Sequence, residues 1–188
     1  MDDLLDIKAK LDQAERPAAL ATVLRGQGAD CPGPGTRRLL EGPDQPGVIG
    51  ELLASGQDRV LAREPAPGLE RMLAGPEGAA MILLERLVPG KLPPWMHFSC
   101  QVLRRGGACV LATVASVAGP VPYQVGERFV YDERNHGLLP MDGGFSLELQ
   151  RGCIRTREAG RPLWERFEVP GGALELLLEP LAAASPAP

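Results

Sequence analysis

The chain has 188 residues, 44% of them hydrophobic, and a formal net charge of −4. That length holds one sizeable core or two small ones, and an acidic balance with neither half net basic argues against binding nucleic acid through its phosphates. No apolar run reaches the roughly 18 residues of a membrane-spanning helix, and residues 1–6 lack the basic and apolar pattern of a signal peptide, so a cytoplasmic protein is expected.

In chain order, Leu4, Ile7 and Leu11 recur at i, i+3 and i+7, which predicts an amphipathic helix over 3–14. A strand over 18–25 follows, then a Gly/Pro-rich loop from Gly28 to Gly35 and a second strand over 36–40. Residues 54–75 have no clear pattern, and 79–85 reads as the last strand of this half, before a linker over 89–94. Trp95, Phe98 and Val102 then form a second stripe, in a helix over 95–105. Strands are expected over 109–117 and 127–131, with the loop Gly119 to Gly126 between them. After a polar turn at 132–136, residues 137–139 read as a returning strand, and a short helix starts near Gly144. Residues 153–156, 163–169 and 173–178 read as strands, with Glu158-Ala159-Gly160 as a hairpin turn; 182–188 reads as a disordered tail.

The two halves repeat. Leu20-Ala21-Thr22-Val23 returns as Leu111-Ala112-Thr113-Val114, a shift of 91, and at that shift Gly28 matches Gly119, Gly35 matches Gly126 and Arg37 matches Arg128. Further on the shift is 94, where Pro76, Gly78, Glu85 and Leu87 match Pro170, Gly172, Glu179 and Leu181. A constant offset with one small insertion is what duplication produces, whereas chance matches scatter. The expected fold is α/β, in the α+β sense: a tandem duplicated module, 1–90 and 91–181, each a helix followed by a small mixed sheet. Pseudo-twofold packing of the pair is expected, since a module of about 90 residues buries a modest share of its surface alone. Every aromatic residue lies after position 90, so the second module is expected to hold the better-packed core.

The opening "MDDLLDIKAKLDQAERPAALATVLRGQGADCPGPGTRRLL" resembles the start of the XdhC/CoxI family: a helix, a strand ending L-A-T-V, and a loop of the type G-S-S-P-R-x-x-G-x-R/K-M. The second half is more similar still, with "VLATVASVAGPVPYQVGERFVY", then "MDGGFS" and "PGGALELLLEPL" in place of the family's G-G-C-x-E turn and C-G-G-x-V-E-V-x-x-E-P-L strand. The likeness covers nearly the whole chain, once per half. It implies an accessory protein that supplies the molybdenum cofactor to a molybdenum-containing dehydrogenase of the xanthine or carbon monoxide type. Two departures stand out. A second module occupies the place of the family's Rossmann-like domain, and both family cysteines are replaced, by Phe145 and Pro170 in the second half and roughly Glu51 and Pro76 in the first. None of these can supply a thiolate nucleophile or soft metal ligand. The function expected is therefore non-catalytic and chaperone-like: binding of the partner enzyme, of a molybdopterin-type cofactor, or of both, with assembly of like copies as a further option. The alternatives are an enzyme that transfers sulfur or nucleotide on that cofactor, and a scaffold without ligand.

The candidate cofactor-binding residues are Gly35, Arg37, Tyr123, Gly126, Arg128, Gly143 and Gly144. The two Gly/Pro loops expose backbone amides, Arg37 and Arg128 bring charge, and Tyr123 brings a ring for stacking. Equally, the same residues suit tight inter-strand connections. Gly143 and Gly144 precede a helix whose free amides attract phosphate or carboxylate, although Asp142 can cap them itself. Cys31 stands in the first loop, while Cys100 and Cys109 read as core and Cys153 is uninformative. Without CxxC pairs, and with His97 and His136 far apart in sequence, no metal site is expected. No catalytic residue is assigned, and Glu85 and Glu179, at matching strand ends, read as structural.

Overall fold

The computed structural model describes residues 3–27, 33–40, 68–72, 79–134, 137–140 and 143–183. The chain divides after Leu92 into two compact units.

The first unit opens with α1 (Leu4–Gln13), whose N-terminal amides of Leu5 and Asp6 donate to the Asp3 carboxylate, a side-chain cap. Leu4, Ile7 and Leu11 are buried along its inner face, and α1 packs on β2. The strands are β1 (Ala18–Gln27), β2 (Arg37–Leu40), β3 (Gly68–Met72) and β4 (Ala79–Leu87), in the order β2-β1-β4-β3. β3 falls in the stretch whose sequence has no clear pattern.

The second unit has α2 (Pro94–Arg104), β5 (Ala108–Ala118), β6 (Arg128–Tyr131), α3 (Gly143–Ala159), β7 (Leu163–Val169) and β8 (Gly172–Ala182). Its sheet order is β6-β5-β8-β7. Pair for pair this is the order of the first sheet, and the registers agree in detail. Thr22 faces Arg37 and Leu20 faces Glu85 in the first; Thr113 faces Arg128 and Leu111 faces Glu179 in the second. The central strands are even bulged at matching places, between Val23 and Arg25 and between Val114 and Ser116.

Several expectations need correction. The sheets are wholly antiparallel, not mixed, because every pair is either a hairpin or the central β1–β4 and β5–β8 pairing. Residues 153–156 are helical: α3 runs from Gly143 to Ala159 and ends at Gly160, whose φ of 62° lies in the left-handed region. Its buried residues Phe145, Leu149 and Cys153 are four apart, a helical period that outweighs the β-branched residues at its end. Residues 137–139 form no strand beyond a single bridge from Leu138 to Val130. Phe98 is only half-buried; Trp95, Met96, Ser99, Cys100, Val102 and Leu103 make the inner face of α2. Of the predicted tail, Ala182 ends β8, and 184–188 lies outside the described residues.

Side chains alternate across a strand, so each sheet has two distinct faces. In the second unit Val110, Ala112, Val114, Phe129, Leu174, Leu176 and Leu178 pack with Phe145, Leu149 and Cys153 of α3. Thr113 and Arg128 point to the other face, where α2 lies across β5, β6 and β8. The second unit is thus a helix–sheet–helix sandwich.

Candidate functional site

The two loops end in the same turn. Gly35 N–H donates to Val23 O at 2.8 Å and Val23 N–H donates to Thr36 O at 2.9 Å; Gly126 and Val114, with Glu127, repeat those bonds at 2.8 and 2.9 Å. Gly35 and Gly126 have φ of 85° and 89°, a backbone region that a Cβ disfavours. Their amides are spent on the turn, so both glycines hold the strand connection and leave no N–H for a ligand. Residues 28–32, with Cys31, lie outside the described residues.

Arg37 and Arg128 occupy equivalent, buried positions. Arg37 Nη1 donates to Gly35 O at 3.2 Å. Arg128 lies over Trp95, its Cζ 4.0 Å from the ring centroid, a desolvated cation–π contact that ties β6 to α2. The aligned position in the first unit is Leu4, which has no ring to offer.

Tyr123 sits on the opposite face of the sheet from Arg128. Its ring centroid is 6.0 Å from Phe129 and 5.1 Å from Phe145, edge-to-face in both cases, and Phe145 meets Phe167 at 5.7 Å. Gly143 and Gly144 open α3 beside this cluster, both exposed. A Cβ on Gly143 would meet no atom within 4 Å. Asp142 lies outside the described residues. The structure therefore brings Tyr123, Gly143 and Gly144 together, and separates them from Arg128 by the thickness of the sheet. Alternation decides this: Arg128 and Phe129 are neighbours in sequence, so they face opposite ways.

The remaining reactive groups are quiet. Cys153 is buried among the α3 contacts, and burial pushes its thiol up to about 12, out of nucleophilic range. Burial also raises the Tyr131 hydroxyl, helped by the charge of Glu133. Cys100 and Cys109 are buried as expected. Glu85 and Glu179 are buried and neither is without a partner. Among the described residues no three His, Cys, Asp or Glu side chains gather to hold a metal ion. Sequence reasoning missed one charged grouping, where Arg157 clamps Glu133 across 24 positions of chain. The Arg157 hydrogen bond holds the Glu133 carboxyl below its usual range. No sequence signal announces such a pair, because it depends on where α3 ends relative to β6.

No protein-family model matches the chain, and no curated protein matches it. Among solved structures it is similar to one described as a xanthine dehydrogenase from Bacillus halodurans, with a TM-score of 0.61 and 16% identity. The likeness covers 97% of this chain and 53% of that one, so the chain spans about half the length of the structure it matches. At that identity the likeness establishes the fold.

Proposed function

We propose that the chain is a non-catalytic, cytoplasmic accessory module for a xanthine-dehydrogenase-type molybdoenzyme, and that its two units are diverged copies of one XdhC/CoxI-like module. The observation that carries this is a fold likeness running through both units to a protein described as a xanthine dehydrogenase. The matching strand registers of Thr22–Arg37 and Thr113–Arg128 support the duplicated origin. Both thiol positions of the family remain filled by residues without sulfur, which favours binding over sulfur or nucleotide transfer.

Between partner and cofactor, the side chains favour the partner. A pterin needs a free aromatic face, and the Tyr123 ring is built into the Phe129–Phe145 cluster. It also needs charge nearby, and Arg128 is committed to Trp95 on the other face. These residues do not fit a stacked pterin. The partner surface proposed is the end of the second unit where Tyr123, Gly143 and Gly144 meet.

Capture of a purified molybdenum dehydrogenase by the immobilised chain tests the function. Retention that is lost with Gly143→Arg and kept with Arg128→Met is expected. A pterin absorbance and fluorescence that co-purifies with the chain, with no retained dehydrogenase, would instead establish the cofactor reading.

A further inference from the structure

We propose that a cleft at one end of the second sheet binds a compact polyanion, a small molecule carrying phosphate or several carboxylates. This site is separate from the partner surface above and does not rest on it. The cleft encloses about 380 Å³, at the small end of the roughly 300–1,000 Å³ typical of ligand pockets. Three arginines line it: Arg105 on the turn leaving α2, Arg134 on the turn after β6, and Arg157 from the end of α3. Two carboxylates join them, Asp132 and Glu133.

The three arginines outnumber the two carboxylates by one, and both carboxylates are engaged by the protein. Asp132 is buried and accepts the Arg134 backbone N–H at 3.2 Å. Glu133 is held in a two-pronged pair by Arg157, with Nη2 to Oε1 at 2.6 Å and Nη1 to Oε2 at 2.5 Å. Arg105 and Arg134 are exposed and make no ion pair among the described residues. Arg105 and Arg134 thus bring to the cleft guanidiniums without an ion pair of their own, and a bound anion would supply one. Guanidinium is also the side chain that takes phosphate or carboxylate with paired hydrogen bonds. Two of the carbonyls at the end of α2, which would oppose an anion, already accept backbone bonds. Val102 O accepts from Arg105 and Gly107, and Leu103 O accepts from Gly106.

Glu133 acts in this scheme as an internal competitor. It occupies the third guanidinium, which an incoming anion would otherwise share. The proposal therefore makes opposite predictions for residues that line the same cleft, which general surface attraction does not.

Calorimetric titration of the full chain at low salt, with pyrophosphate, adenosine monophosphate and citrate as probes, tests the site. Saturable one-to-one binding is expected, with the phosphate probes or citrate preferred according to the ligand's source. Arg105→Gln with Arg134→Gln should lower affinity about tenfold or more, as loss of charge-assisted hydrogen bonds does. Ala108→Glu, at an exposed lining position, should do the same by placing a carboxylate in the cleft. Glu133→Gln should tighten binding several-fold by releasing Arg157. The proposal is overturned by the absence of saturable heat for every probe up to about 10 mM. It is also overturned by binding indifferent to the double variant, or by weaker binding in Glu133→Gln. Amide shifts of the unmodified chain decide independently of any variant's folding. Changes confined to 105–108 and 132–134 support the cleft, and changes spread over the surface refute it.

Discussion

On the face turned away from Thr22, the first unit gathers Ala19, Ala21, Val23, Leu40, Ala80, Ile82 and Leu84. On the equivalent face of the second unit, Val110, Ala112, Val114, Phe129 and Phe167 pack against the 17-residue α3 through Phe145, Leu149 and Cys153. The strand order, the registers and the bulges are shared; the strand side chains on this face are not, since Arg38 and Leu40 stand where the second unit has Phe129 and Tyr131. The contrast teaches that the sheet's hydrogen-bond frame tolerates divergence in what packs on it. Backbone pairing asks only for alternation and for glycine at the turns, whereas side-chain packing depends on volume and shape.

The largest expected effect tests the aromatic core. Phe145→Ala removes a ring that meets Tyr123, Phe129 and Phe167, and should cost about 3–5 kcal/mol in urea unfolding. A loss under about 1 kcal/mol would mean that α3 and its aromatic contacts contribute little.

Next come the shared turns. Gly35→Ala and Gly126→Ala should each cost about 1–3 kcal/mol, since both place a Cβ at positive φ. Similar losses at the two sites would show that the frames are energetically as well as geometrically equivalent. A loss at only one would confine the equivalence to shape.

The third prediction concerns pH. The folded-state pKa of Cys153 is raised from 9.0 to about 12 by burial, so the stability it contributes is full below about pH 9 and is lost as pH rises toward 12. At about pH 10.5 the loss should be about 2 kcal/mol, and Cys153→Ala should abolish that part of the pH dependence. Fast labelling of this thiol in the folded chain at pH 8 would contradict its burial between α3 and the sheet.

The smallest effect separates the two arginines. A double-mutant cycle of Trp95→Leu with Arg128→Met should give a coupling of about 1–2 kcal/mol, the size of a desolvated cation–π contact. The matching cycle of Leu4→Ala with Arg37→Met should give less, because no ring lies at that position. Equal couplings would assign the Arg128 term to burial alone.

Much of the frame was legible in the residues. The stripe of Leu4, Ile7 and Leu11, the recurrence of L-A-T-V, and Gly35 and Gly126 before their strands are local signals. They follow from helical period, strand alternation and the cost of a Cβ at positive φ. The strand reading of 153–156 failed because Ile154 and Thr156 are β-branched and dominate a short window, while the i, i+4 run from Phe145 to Cys153 is visible only in a longer one. The candidate site was less legible. Tyr123 and Arg128 are close in sequence and suggest one pocket, but a strand sends adjacent side chains to opposite faces, and only the packing of α2 and α3 shows which face each one meets.

The residues by themselves determined α1, α2, the central strands β1, β4, β5 and β8, the turns at Gly35 and Gly126 and the repeated Thr, Arg and Glu, because each rests on interactions within a few positions of chain. The tertiary structure alone decided that α3 covers one face and α2 the other. It alone committed Tyr123 to an aromatic cluster and Arg128 to Trp95, and brought Arg105, Arg134 and Arg157 to one cleft. Those outcomes depend on contacts between segments tens of residues apart. Their free energy comes from complementary volume and charge in three dimensions, which no local pattern encodes.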